Sequence, residues 1–390
     1  MRVLLYTGKG GVGKTSLAVA SALGAATHGH RVFVLSTDSA HSLGDALGRS
    51  VGPEPIQVAD RVVAQEVAAL HELDRGWSEI QAWLQELVKG SSRERVDAVV
   101  AEELLVFPGL EELVALRAIR VVEATGEYDV CVVDCAPTGS TLRMLRLPDV
   151  MRFFMDNFFD VKRKAFRVLK PVADRIGLGH LVAPDKVFAA FERLYEDIED
   201  VRQILLDTDR TSARLVVNPA RVVVAETRRS FAYLSLYGVA TDAVIVNRIL
   251  PDEATRGYFA RWADRERHEL DEIASSFPIP RFQAPLLPRE PIGVDALLEL
   301  SQSVFGDRDP AELFTRSRPI RFEKRGDRTV LEIDLPGARK HELEVIPRGD
   351  ELLVVVRDAQ RRISLPASVA GRAIEEARLS KGVLSITFGP

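Results

Sequence analysis

The stretch Gly8-Lys9-Gly10-Gly11-Val12-Gly13-Lys14-Thr15 fits the pattern GxxxxGK[ST]. It follows the apolar run Val3–Tyr6 and opens a helical pattern, the strand–loop–helix context in which this pattern cradles phosphate. Glycines let successive backbone N–H groups close around phosphate oxygens, and the helix N-terminus adds positive potential. Gly8 to Ser16 are therefore expected to form a nucleotide cradle. Within it, Lys14 would reach the β- and γ-phosphates, and the Thr15 hydroxyl would ligate Mg²⁺.

Four further runs, Val32–Leu35, Val130–Val133, Arg214–Val217 and Val244–Val246, are short, rich in Val, Ile and Leu, and do not alternate. That is the mark of parallel strands buried on both faces. Helical patterns lie between them, so an α/β fold with a mostly parallel, doubly wound sheet is expected. The segments 70–124 and 145–206 are too long for single crossovers and should form a helical subdomain above the strand ends. Composition changes after about residue 305. Residues 306–318 read as a linker, and from 319 to 390 the pattern has period two, with Leu331, Ile333 and Leu335 on one face. GD, LPG and KG supply the turns, so this tail is expected to be an antiparallel β-sandwich.

The charge balance argues against several function classes. The net charge is −5, and no basic block exceeds three residues. Nucleic-acid binding needs clustered Lys and Arg, so no nucleic-acid partner is expected. No apolar stretch approaches eighteen residues, so no stable membrane insertion is expected. The opening MRVLLYTGKGGVGKT lacks a signal-peptide cleavage site, so a cytoplasmic location is expected. The two cysteines, Cys131 and Cys135, are too few for a cysteine zinc site. Four residues of strand would hold them roughly 13 Å apart, too far for a disulfide. They read as inert core thiols.

Lys9 is a second lysine inside the loop and is not needed to cradle the subunit's own nucleotide. KGGVGKT marks the deviant loop in which this lysine contacts the nucleotide of a facing subunit, stabilising transition-state charge as an arginine finger does. That implies a homodimer.

Further motifs follow in order: Ser36-Thr37-Asp38-Ser39-Ala40-His41-Ser42-Leu43-Gly44-Asp45, Pro108-Gly109-Leu110-Glu111-Glu112, Asp134-Cys135-Ala136-Pro137-Thr138-Gly139-Ser140-Thr141 and Val246-Asn247-Arg248. With KGGVGKT they resemble the arsenite-pump and guided-entry ATPase family, whose eukaryotic members target tail-anchored membrane proteins. The resemblance spans roughly residues 1–300. It implies ATP and Mg²⁺ as cofactors, with Asp38 in the first switch positioning the attacking water. Asp45 and, in the second switch, Asp134 would join the magnesium shell, most readily through water. Asn247 would read the adenine edge, and Pro285 and Leu286 would pack on the base. Simpler readings stand beside these: helix capping for Asp38 and Asp45, and a strand-end cap for Asn247.

The sequence also departs from the family. The CxxC that binds zinc beyond the Val-Asn motif is absent, so no zinc is expected. Ser140 replaces a histidine often found in the second switch. The three-cysteine arsenite site is missing. The tail resembles an α-crystallin domain of small heat-shock proteins through Leu335-Pro336-Gly337, Arg362-Ile363-Ser364-Leu365-Pro366 and Ala377-x-x-x-Lys381-Gly382-Val383-Leu384. It lacks the long strand-swap loop and an I-x-I end.

Met144, Met151 and Met155 lie near Phe153, Phe154, Phe158, Phe159 and Phe166. From Met151 to Leu169 the apolar side chains cover roughly half the circumference, wider than a core-facing helix needs. Three readings stay open: a core helix, an adaptable groove for apolar helices, and a basic amphipathic membrane anchor. The leading expectation is a dimeric, Mg²⁺-dependent ATPase that gates a groove for hydrophobic client segments. The alternatives are the motor of an arsenite efflux pump and a partition-type positioning ATPase.

Overall fold

The computed structural model describes residues 1–38, 42–67, 110–135 and 185–389. The Met- and Phe-rich segment, Pro108-Gly109 and the second switch beyond Cys135 lie outside the described residues.

The ATPase part alternates strands and helices. Its strands are β1 (Arg2–Thr7), β2 (Val32–Ser36), β3 (Ile56–Ala59), β4 (Val62–Glu66), β5 (Val130–Asp134), β6 (Thr211–Val217), β7 (Thr241–Ile249) and β8 (Arg281–Pro285). The described helices are α1 (Lys14–Thr27), α2 (Ser42–Leu47), α3 (Leu110–Thr125), α4 (Asp185–Leu206), α5 (Arg221–Leu236), α6 (Ala260–Ser276) and α7 (Val294–Phe305). All eight strands form one sheet in the order β3-β4-β2-β5-β1-β6-β7-β8. Only β3 runs antiparallel. The sequence pattern finds its cause here, because β2 and β5 are buried at every residue. Successive side chains enter opposite cores: Val3 and Leu5 face α3 to α6, while Leu4 and Tyr6 face α1, α2 and α7. The sheet is doubly wound.

Helices α3 and α4 are the described ends of the two segments expected to stand above the strands. These ends cover a face of the sheet, through Ile119, Val122, Ile198 and Val201. None of the described helices is long and apolar enough to cross a membrane.

The tail is an antiparallel β-sandwich. One sheet has the order β14-β15-β10-β9 and the other β11-β12-β13. The strands are β9 (Ile320–Arg325), β10 (Arg328–Asp334), β11 (Leu343–Arg348), β12 (Glu351–Val356), β13 (Ala359–Ser364), β14 (Ile374–Ser380) and β15 (Val383–Phe388). Leu331, Ile333 and Leu335 point inward as their alternation requires. Tyr233 and Leu236 of α5 enter the same core. The Tyr233 hydroxyl donates to Asp358, and the Tyr237 hydroxyl donates to the Gln360 carbonyl at 3.2 Å. The stretch before β9 is fastened to the ATPase part. Buried Arg214 donates to the carbonyls of Pro310 at 2.6 Å and Glu312 at 2.9 Å, and Phe314 packs against Phe282 and Phe305.

Candidate nucleotide site

The loop between β1 and α1 is shaped by glycines with little alternative. A Cβ on Gly8 would strike the Val216 carbonyl of β6. Gly13 has φ +94° and lies against the Asn247 amide, so a side chain there would meet both strain and collision. Lys14 is buried and donates from Nζ to the Lys9 carbonyl at 3.4 Å, spanning the loop's concavity.

The strand ends converge beside this loop. The Thr15 hydroxyl donates to Asp134 Oδ2 at 2.7 Å and lies 2.8 Å from Ser42 Oγ. With its proton committed to Asp134, Thr15 accepts from Ser42. Asp134 is fully buried, and among the described residues its Oδ1 has no hydrogen-bond partner. Burial pushes the Asp134 carboxyl up to about 7, while the Thr15 hydroxyl and the Lys14 charge pull against that rise. Glu66, at the end of β4, accepts from the Gly44 N–H at 3.0 Å and so holds α2, the helix carrying Ser42 and Asp45, against the sheet.

Thr15 and Ser42 border a cleft of about 710 Å³. Its wall brings together Lys14, Thr15, Asp38, Asp45, Asn247 and the 285–292 segment, with Gly10, Gly11, Gly13 and Ser16 also reaching it. Pro285 and Leu286 are both in that wall, and Leu286 N–H donates to the Ile249 carbonyl at 2.7 Å. Gly8 and Val12 are buried in the loop, and Asp134 sits behind Thr15. Asn247 is buried: Nδ2 donates to the Val12 carbonyl at 2.8 Å and Oδ1 accepts from Arg248 N–H at 2.9 Å. An amide nitrogen has two protons, and one of them is committed to Val12. The Lys9 side chain points instead to α5, where its Nζ lies 2.9 Å from Glu226 Oε2.

Residues 1–306 match the family described as Anion-transporting ATPase. The chain belongs to this ArsA ATPase family. Residues 326–388 match the HSP20-like domain found in ArsA, so this ArsA ATPase carries the family's small heat-shock-type tail. A protein of Prosthecochloris vibrioformis named "Putative arsenical pump-driving ATPase" is 34% identical over 100% of this chain and 96% of its own length. One of Aquifex aeolicus, "Putative arsenical pump-driving ATPase 1", is 32% identical over 99% of each chain. The "ATPase GET3B" of Arabidopsis thaliana is 29% identical over 76% of this chain and 77% of its own. The chain is accordingly an ArsA-family ATPase.

Three contributors escaped the sequence reading. Ser42 stood in the first-switch stretch but had no role assigned to it. Glu66 ends an alternating strand whose pairing with β2 was not anticipated. Glu226 lies 217 residues from Lys9, and no spacing rule links them.

Proposed function

We propose that this ArsA-family ATPase works as a Mg²⁺-dependent homodimer that uses ATP binding and hydrolysis to gate the capture of hydrophobic protein segments. The observation that carries the hydrolytic part is the convergence of Lys14, Thr15 and Asp38 on one cleft, with the Thr15–Asp134 bond behind it. Lys14 would hold the β- and γ-phosphate oxygens, and Asp38 would orient water for attack on the γ-phosphorus as the bond to ADP breaks. Thr15, Ser42, Asp45 and Asp134 offer only hard oxygen donors, and Asp134 Oδ1, without a partner among the described residues, is a buried acceptor that a metal-bound water could satisfy; this set fits Mg²⁺. When bound, Mg²⁺ would neutralise charge on the phosphates. Lys9 would leave Glu226 to serve the nucleotide of the facing subunit.

The client part rests on the HSP20-like tail and on α5. This helix puts Tyr233 and Leu236 into the tail's core and Glu226 on Lys9, so one rigid element touches both the loop and the tail. The Met- and Phe-rich stretch supplies an apolar candidate surface from sequence. Photo-crosslinking of an apolar helical peptide to the Asp38→Asn protein, with ATP and with ADP, tests the reading. ATP-dependent capture that a polar scrambled peptide does not share is expected; equal capture in both nucleotides would sink it.

The names of the bacterial relatives favour a second reading, a pump motor. Metalloid-stimulated turnover would support it. Against it, the chain's two cysteines are buried, 0% and 3% exposed, and burial raises both thiols, Cys131 to about 12. Neither offers the accessible thiolate that would bind a metalloid.

A further inference from the structure

Arg248 follows Asn247 at the C-terminal end of β7 and borders the nucleotide cleft. Its backbone lies in the left-handed region, φ +61°, which costs a residue with a Cβ. The Asn247 side chain helps hold it there, because Oδ1 accepts the Arg248 N–H. Strain of this kind persists only where surrounding contacts impose it, and it collects at ligand sites. The side chain is exposed, and among the described residues its guanidinium has no hydrogen bond or ion pair. Most of the other described arginines have carboxylate or carbonyl partners, as Arg214, Arg321 and Arg325 show.

Its surroundings suit a flat aromatic ligand. Ile249 pairs with Pro285, and Leu286 donates to Ile249, so the Pro285–Leu286 corner flanks Arg248 in the wall. Leu286 and Ile292 are 42% and 54% exposed, unusual for large apolar side chains bordering a cleft. The phosphate-directed groups, Lys14 and Thr15, open α1 just beyond the loop that Asn247 touches through its bond to the Val12 carbonyl. An apolar shelf beside an unpaired planar cation is the arrangement that stacks on a nucleobase.

We propose that Arg248 is a specificity-determining residue that stacks on the purine ring of ATP, with Pro285 and Leu286 forming the shelf for the base. It thereby sets affinity for the base and leaves the hold on the phosphates unchanged. This rests on the reading of the cleft as the ATP site, and the two can be separated.

The test is calorimetric binding of Mg-ADP and of Mg-tripolyphosphate to the full chain and to Arg248→Gly and Arg248→Lys. Glycine accepts φ +61° freely, so Arg248→Gly should melt no lower than the parent. It should bind ADP roughly tenfold more weakly and tripolyphosphate with unchanged affinity. Arg248→Lys keeps the charge but loses the plane, so it should recover only part of the ADP affinity. Equal losses for both ligands, or full recovery with lysine, would make Arg248 an electrostatic phosphate contact and overturn the proposal. Unchanged ADP binding in Arg248→Gly would overturn it too. A parent protein that binds neither ligand would overturn the ATP-site reading and this proposal together, whereas normal parent binding confines any failure to Arg248.

Discussion

Lys9 Nζ and Glu226 Oε2 lie 2.9 Å apart, so the loop's second lysine is held by a helix of its own chain. Both side chains are partly exposed, and such a pair contributes about 0.2–1 kcal/mol. The contact is therefore strong enough to bias Lys9 and weak enough to exchange. If Lys9 must leave Glu226 to serve the facing subunit, Glu226→Gln should favour closure. Sedimentation at graded ATP should show dimers at an ATP concentration lower by roughly two- to fivefold. A shift to higher ATP would mean that Glu226 supports the closed dimer instead of restraining Lys9.

Mixing variants addresses the trans role directly. Lys9→Ala should retain ADP affinity but close poorly, and Asp38→Asn should bind ATP and turn over slowly. A heterodimer of the two restores one site that has both groups. Activity above either homodimer is expected after subunit exchange. No gain, with exchange demonstrated by labelled subunits, would place Lys9 outside catalysis.

Asp134 separates metal dependence from folding. Its carboxyl is fully buried and raised to about 7 mainly by burial, so its charge costs the fold free energy. Asp134→Asn keeps the shape and an oxygen for the Thr15 hydroxyl. Thermal melting should be no lower than in the parent, while the Mg²⁺ concentration for half-maximal turnover should rise about tenfold or more. An unchanged Mg²⁺ requirement would remove Asp134 from the metal's surroundings.

Much of this arrangement was legible in sequence, for identifiable reasons. β1, β2, β5, β6 and β7 are central and buried on both faces, so each leaves an uninterrupted apolar run. β8 was not legible: it is an edge strand with exposed Arg281 and Gln283, and it ends in proline. The β3–β4 hairpin hides similarly in short alternating strands, turning at Arg61 with φ +58°. The site divides along the same line. Lys14 and Thr15 come from one contiguous motif, whereas Glu226 meets Lys9 only through tertiary packing. Arg248 was visible as a letter but not as a residue with a left-handed backbone, exposed at the rim of the cleft. The segment 306–318 reads as a linker because its packing partners, Arg214 and Asp242, are distant charged residues inside the sheet.

That buried network has a measurable cost. Arg214 and Asp242 are both 0% exposed, with Arg214 Nε donating to Asp242 Oδ1 at 3.2 Å. Arg2 also donates to Asp242 at 3.1 Å, and so does the Phe314 N–H at 3.3 Å. Asp242→Ala would strand Arg214 as an uncompensated buried charge, which costs about 3–5 kcal/mol. A clear drop in denaturant midpoint is expected. A variant as stable as the parent would show that the strap and sheet do not depend on this pair.

The docking of the tail carries its own pH signature. Burial pushes the Tyr233 hydroxyl up to about 12, and its bond to Asp358 and that residue's charge add to the rise; Arg357 opposes it. The folded value stands above the ordinary tyrosine value of about 10, so the neutral hydroxyl is the form the docked state favours. Its contribution, about 1 kcal/mol for a bond to a carboxylate open to water, is therefore fully present below pH ~10. It should fade as pH rises towards about 12. Ultraviolet titration should show one tyrosine ionising late, and Tyr233→Phe should remove that late step. The same variant should lower the melting temperature modestly at neutral pH, because Phe keeps the ring among Leu236 and the sandwich core but loses the bond. Raising the pH should narrow the gap between parent and variant. A late tyrosine that persists in Tyr233→Phe, or a gap that widens with pH, would place the tail's attachment elsewhere than on this hydroxyl.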